Sequence, residues 1–178
     1  MAGSPQTRQA RVSARVEVLG SGQAEVVTGV TILDHLLGLL ADRAGFDLRL
    51  EVAPGGAVDE IAEAGRGLGE ALALAFRAEG ARRHGSAAVP TQEALAHVAL
   101  EASGEPLLVT NVDLSDARVA GLDTDLVARF LEQLAEGAGL TLHVRLIVGD
   151  DPEHVLESIF KALGVALAQA CRPRTRKE

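Results

Sequence analysis

The string Glu153-His154-Val155-Leu156-Glu157 sets an imidazole between two carboxylates, directly after Pro152. Pro is a natural first-turn residue, and Asp150 or Asp151 is available as a cap, so the string opens a helix. A carboxylate three residues beyond an imidazole returns to the same helix face, which sets His154 and Glu157 side by side. Four other histidines are scattered along the chain: His35, His84, His97 and His143. His143 falls in an alternating strand pattern and reads equally well as a structural histidine, His35 equally well as a brace for its own helix, and His84 and His97 as ordinary structural residues. Cys171 is the only cysteine, so no disulfide closes within the chain. It continues the apolar face of the last helix and reads as a buried structural thiol.

The elements that position these residues come in two copies. The apolar stripe Leu33, Leu36, Leu37, Leu40 recurs 94 positions later at Val127, Phe130, Leu131, Leu134, with helical spacing in both places. Each stripe is followed by a Gly suited to a helix C′ position and then by strand-like alternation, at Gly45 to Leu50 and at Gly139 to Val144. A second stripe, Ile61, Ala64, Leu68, Leu72, recurs 95 positions later at Leu156, Ile159, Leu163, Leu167. The pattern predicts a strand over residues 11–19, a turn at Gly20-Ser21-Gly22 and an antiparallel return over 24–28. Next come a helix over 32–43, a strand over 46–52 and a long helix reaching 77. The second half predicts strands over 93–101 and 107–112, a helix over 125–136, a strand over 140–148 and a helix over 152–171. The expected fold is α+β, with internally duplicated ββαβα units whose two small sheets pack on a shared helix layer. Residues 9–80 and 86–172 form the two repeats of one compact domain, and 173–178 form a basic tail.

Composition narrows the function. A chain of 178 residues that is 47% hydrophobic can bury one substantial core. The net charge of −8, with Phe46, Phe76, Phe130 and Phe160 as the only aromatics, argues against nucleic acid as a partner. The cations Arg172, Arg174, Arg176 and Lys177 read as a solvated helix end. No stretch approaches the roughly 20 apolar residues of a membrane span, and residues 1–8 lack an apolar signal core, so the expected location is cytoplasmic with no membrane contact.

Several strings, in this order and spacing, resemble the imidazoleglycerol-phosphate dehydratase family of histidine biosynthesis. They are Thr28-Gly29, Leu33-Asp34-His35-Leu36-Leu37, Gly45-Phe46-Asp47-Leu48, Arg83-His84-Gly85, Ser103-Gly104, Leu140-Thr141-Leu142-His143 and Glu157-Ser158-Ile159-Phe160-Lys161-Ala162-Leu163. The resemblance covers residues 9–171 and implies a duplicated fold, a carbon-oxygen lyase activity, manganese as cofactor, a small phosphorylated ligand, and a homo-oligomer built as a shell of trimers. It implies two His-His-x-x-Glu segments that bind two metal ions. His35, His143, His154, Glu157 and Asp59 stand at or near its metal positions, Arg83 and Lys161 match phosphate-binding positions, and Glu93 matches a family carboxylate, which leaves Glu157 and Glu93 as catalytic candidates.

The departures are specific. The second metal segment has Glu153 for its first imidazole. The first reads Val58-Asp59-Glu60-Ile61-Ala62, or Asp59-Glu60-Ile61-Ala62-Glu63 after a one-residue slip that keeps oxygen ligands in register. Arg43 or Asp42 stands where the family has a further histidine, and Gln9-Ala10 stands for a Glu-Thr pair. The Arg expected after Ser103-Gly104 is Glu105, and the Asp before them is Glu101. Reversing a charge beside a phosphate costs about 1 to 4 kcal/mol per charge pair, depending on the local dielectric. The family's dehydration needs the substrate imidazole held by two metals, so a thinned ligand set removes the chemistry before the fold. The expectation is a divergent paralogue with weak or no dehydratase activity. The alternatives are an active dehydratase with a carboxylate-rich metal site built from Asp59 or Glu63, Glu153, His154 and Glu157, and a new enzyme or binder using Arg83, Lys161 and His143.

Overall fold

The structure is a computed structural model that describes residues 11–113, 118–119, 122–123 and 125–174. Elements follow in the order β1 (Val12–Glu17), β2 (Ala24–Val27), α1 (Thr31–Ala44), β3 (Asp47–Val52), α2 (Ala57–Phe76), β4 (His84–Thr91), β5 (Ala94–Glu101), β6 (Leu107–Thr110), β7 (Arg118–Val119), β8 (Leu122–Asp123), α3 (Asp125–Ala138), β9 (Thr141–Val148) and α4 (Pro152–Cys171). The four expected helices are present. Gly45 and Gly139 take the left-handed conformation with φ of 70° and 69° just past α1 and α3. Of the anticipated basic tail, residues 175–178 lie outside the described residues, as do Gln9 and Ala10.

The strand order differs from the expected hairpins. One sheet runs β1-β3-β2 and the other β4-β5-β9-β6. β1 pairs antiparallel with β3, and β2 pairs parallel with it, so the Gly20-Ser21-Gly22 segment carries the chain over the end of β3 and makes no hairpin. Burial explains the order: Leu48, Leu50 and Val52 of β3 are almost fully buried, whereas Ala24, Glu25 and Val27 of β2 are exposed. The strand with three buried side chains takes the centre and the exposed one takes an edge. In the second half β9 likewise separates β5 from β6. β4 was not anticipated; it joins β5 through the two-residue turn Gln92-Glu93, with Gln92 at φ 51°.

The duplication is visible in the pairing. Glu17 lies opposite Asp47 as Glu101 lies opposite Thr141, and Ala24 opposite Leu48 as Leu108 opposite Leu142. Helices therefore repeat at offsets of 94 and 95, but the strands before them repeat at 84, so ten residues have entered the connection between β6 and α3, where β7 and β8 sit.

α1 and α2 lie against the first sheet, α3 and α4 against the second, and the halves meet helix to helix, α2 on α3 and α1 on α4. Both contacts are made at glycine. A methyl group on Gly69 would overlap the carbonyl oxygen of Leu134, and one on Gly164 would overlap that of Leu40. Gly69 and Gly164 are equivalent under the 95 offset, and Leu40 and Leu134 under the 94 offset, so the two crossings are one contact made twice. All eight residues of the second stripe are buried here.

Gly69→Ala and Gly164→Ala are each expected to destabilise the fold by about 1–3 kcal/mol in chemical denaturation, because backbone rather than a flexible side chain must give way. Gly38→Ala in α1 meets open space. It should stabilise the fold by about 0.5–1 kcal/mol by removing a flexible residue from a helix interior.

Candidate functional site

The start of α4 is built by its cap. Asp151 Oδ1 accepts from the amides of Glu153 (2.9 Å) and His154 (3.2 Å), and Pro152 occupies the first turn. His154, Glu157 and Lys161 then fall on one face of the helix. Each finds a partner from another element. Nδ1 of His154 lies 2.7 Å from Oε2 of Glu93, and the other oxygen of Glu93 accepts from the Asp151 amide at 2.9 Å. Oε1 of Glu157 lies 3.1 Å from Nε2 of His35, in the second turn of α1. Lys161 Nζ donates to Thr91 Oγ1 at 3.0 Å. Hydrogen bonds from the Asp151 amide above all, then from its own amide and from His154, pull the Glu93 carboxyl down to about 2. The hydrogen bond to Glu93 holds the His154 imidazolium above its ordinary 6.5. Both groups are partly open to water, with side-chain exposures of 42% for Glu93 and 35% for His154.

α1 and α4 cross in the same sense, since the contact at His35 and Glu157 is followed along both helices by the contact at Leu40 and Gly164. Their N-termini therefore meet at one pole, where two positive helix ends favour carboxylates. The equivalent pole, at the N-termini of α2 and α3, has different side chains. Under the 95 offset Asp59 stands for His154 and Ala62 for Glu157, and under the 94 offset Arg129 stands for His35. Asp59 is exposed, and Glu60, equivalent to Val155, is buried with its carboxylate accepting from the Gly55 amide at 3.0 Å. The one-residue slip that would pair Asp59 with Glu63 is not adopted: Glu63 bonds to Arg66, which also reaches Glu70 at 3.0 Å. Slippage would turn Gly65 and Gly69 away from the α3 backbone they touch.

Other expected site residues lie elsewhere. Arg83 stands just before β4 at φ 68°, its Nε donating to the Phe76 carbonyl at 3.1 Å, whereas Lys161 meets Thr91 at the far end of that strand. About 25 Å of extended chain separates them, so one chain does not close both on a single phosphate. His143 lies on the outward face of β9, in a shallow hollow of about 460 Å³ shared with His97, Val109 and Arg145. Nε2 of His97 is 2.7 Å from Ser86 Oγ, a contact that the unpredicted strand β4 had hidden. Among the described residues, no three His, Cys, Asp or Glu side chains are grouped so as to hold a metal ion. Burial pushes the Cys171 thiol up to about 12, which leaves it inert. Among the described residues, no helix is long and apolar enough to cross a membrane.

Residues 28–167 match the model of a family described as imidazoleglycerol-phosphate dehydratase. The chain is 40% identical over 171 residues to imidazoleglycerol-phosphate dehydratase of Desulforudis audaxviator, covering 94% of this chain and 87% of that protein. It is 42% identical over 170 residues to the enzyme of the same name from Syntrophobacter fumaroxidans, covering 93% and 86%. Among solved structures, imidazoleglycerol-phosphate dehydratase of Staphylococcus aureus superposes with a TM-score of 0.85 at 31% identity, over 95% of this chain and 96% of that one.

The pair of His154 and Glu93 has a defined pH window. A raised His154 stabilises the fold below 6.5 and loses that contribution as pH rises through its folded value. A depressed Glu93 stabilises above 4.5 and loses its contribution as pH falls through about 2. The stability difference between wild type and Glu93→Gln, followed by chemical denaturation, should therefore peak between these two ordinary values. NMR titration should show the His154 midpoint falling toward 6.5 in the variant.

Proposed function

The chain belongs to the imidazoleglycerol-phosphate dehydratase family, and from that premise we propose that it is a histidine-biosynthesis family protein which keeps one of two cation half-sites and dehydrates imidazoleglycerol phosphate weakly or not at all. The observation that carries this reading is the asymmetry of the two equivalent poles. At the α1 and α4 pole, His35, His154 and Glu157 supply two imidazoles and a carboxylate. His35 Nε2 and Glu157 Oε1, 3.1 Å apart, are hydrogen-bonded to each other, which keeps both groups at this pole. Among the described residues of one chain no three such groups are clustered closely enough to hold a cation, so this donor set is half a site that a neighbouring chain would complete. The other pole offers Asp59, Ala62 and the guanidinium of Arg129, which do not fit a second one. When bound, manganese would polarise an imidazole ring of the ligand. Around it, this chain's own residues bind and orient: Lys161 supplies a positive charge one helical turn beyond Glu157, and Glu93 and Glu157 hold the neighbouring imidazoles.

The separation of Arg83 and His143 from the Lys161 pole supports assembly as a homo-oligomer, a shell of trimers in keeping with the family, because surfaces of more than one chain are needed to surround a phosphorylated ligand. The polar face of α4 favours no second reading over this one; an active dehydratase with a rebuilt, carboxylate-rich site is the alternative outcome of the same assay.

Manganese titration of the chelator-treated protein should end at one ion per chain and be abolished by His154→Ala. Turnover of imidazoleglycerol phosphate with manganese should fall on the order of 10²–10³-fold below that of the Syntrophobacter fumaroxidans relative assayed beside it, the scale of removing one preorganised electrostatic group. Two ions per chain with comparable turnover would overturn the proposal in favour of the rebuilt site.

A further inference from the structure

The outward faces of the two sheets occupy equivalent places in the fold and carry different chemistry. Register sets Ser86, Ala99, His143 and Val109 in one row across all four strands of the second sheet, with His97 and Arg145 in the row beside it. The corresponding row of the first sheet is Arg15, Arg49 and Glu25, with Ser13 and Glu51 beside it. There Arg49 is paired with Glu25 at 3.4 Å and Glu17 and Asp47 form the next row, so cations and anions interleave as on a solvated surface. On the strands of the second sheet, His84, His97, His143 and Arg145 are accompanied by a single carboxylate, Glu101, among the described residues.

Ala99 stands where the first sheet has Arg15, and its short side chain floors two adjoining hollows of about 460 and 470 Å³ that share Ala99 and His143. Hollows of this size suit a small organic molecule. Arg145 and His143, beside the first hollow, make no hydrogen bond or ion pair with another described residue, although the chain carries 25 Asp and Glu against 17 Lys and Arg. A guanidinium presents parallel N–H donors that match a carboxylate, and one guanidinium balances one negative charge. Val109, partly exposed, adds apolar surface to the Ala99 floor, where an apolar body loses contact with water. We propose that this hollow binds a small organic carboxylate, its anionic end held by Arg145 and His143 and its apolar body lying on Ala99 and Val109. The site is on the sheet face turned away from the helices and does not rest on the reading given under Proposed function.

The probe is benzoate, titrated into the full chain at fixed ionic strength and followed by ligand-observed NMR, which reads binding in an assembly of any size. Benzoate should bind saturably. Acetate should bind about ten-fold more weakly, the scale of leaving part of an aromatic ring unburied, and benzyl alcohol should not saturate. Arg145→Gln should weaken benzoate about ten- to hundred-fold, the scale of a lost charge-assisted hydrogen-bond pair. Ala99→Leu, which raises the floor without changing charge, should weaken it as well, and Arg49→Gln on the first sheet should leave it unchanged. Arg145 and Ala99 both point outward from the sheet, and circular dichroism checks that each variant keeps the fold. Inorganic phosphate or acetate binding as tightly as benzoate would reduce the face to plain ion pairing and overturn the proposal. So would an absence of saturation, or equal benzoate affinity in wild type and Arg145→Gln. Benzoate binding confined to dilutions at which light scattering shows dissociated chains would overturn it in favour of contact between copies.

Discussion

Two backbone-to-backbone helix contacts, Gly69 on Leu134 and Gly164 on Leu40, fix nearly everything else in this molecule. Where a helix carries glycine at a crossing, its partner approaches until peptide groups touch, and neither helix can then rotate or slide without a clash. Because the same crossing is made by both copies of the repeat, the halves are locked into one register. The helices of each pair run in the same sense, so their N-termini are delivered together. The meeting of His35 with Glu157 across 122 residues of sequence is a consequence of that geometry.

The lock also explains how one pole can change while the other does not. Ile61, Ala64, Leu68 and Leu72 face the seam in the same way as Leu156, Ile159, Leu163 and Leu167, and all are buried. A change of volume there would be felt throughout a close-packed interior. Asp59 and Ala62 lie outside the seam's buried stripe, as His154 and Glu157 do in the other copy. Substituting them alters local charge and donor chemistry and leaves the crossing intact. The fold therefore reports the family, whereas the side chains at each pole report what the chain can bind.

Legibility in the sequence follows the range of the interactions. The four helices and the duplication were readable because apolar stripes at helical spacing are local and occur twice. Strand order was not: Gly20-Ser21-Gly22 has the composition of a hairpin turn, but the centre of the sheet goes to β3, whose Leu48, Leu50 and Val52 are buried, and that pairing is not a local signal. β4 escaped because its turn, Gln92-Glu93, contains neither Gly nor Asn, and because Pro90 disguises a strand that lies at the sheet edge. At the site, the common face of His154, Glu157 and Lys161 was legible from spacing along one helix. The partnership of Glu93 with His154 was not, since it depends on that hidden turn, and Arg83 and Lys161 could be matched by motif without any sign that a strand's length divides them.

The polar groups at the α1 and α4 pole have no comparable structural reason to be there. His154, Glu93 and His35 are each at least a third exposed. Ion pairs in such positions contribute little to folding, because water and salt screen the attraction and holding two side chains together costs entropy. The cap at Asp151, the buried Ser158 and the glycine seam already secure α4 without them. A fold that needed only to stand could place alanine at Glu157, as it does at the equivalent Ala62 of the other copy. Two imidazole-carboxylate pairs and an ammonium group are therefore held at adjoining helix ends where folding alone does not require them, and the opposite pole shows the same scaffold carrying a different set of side chains.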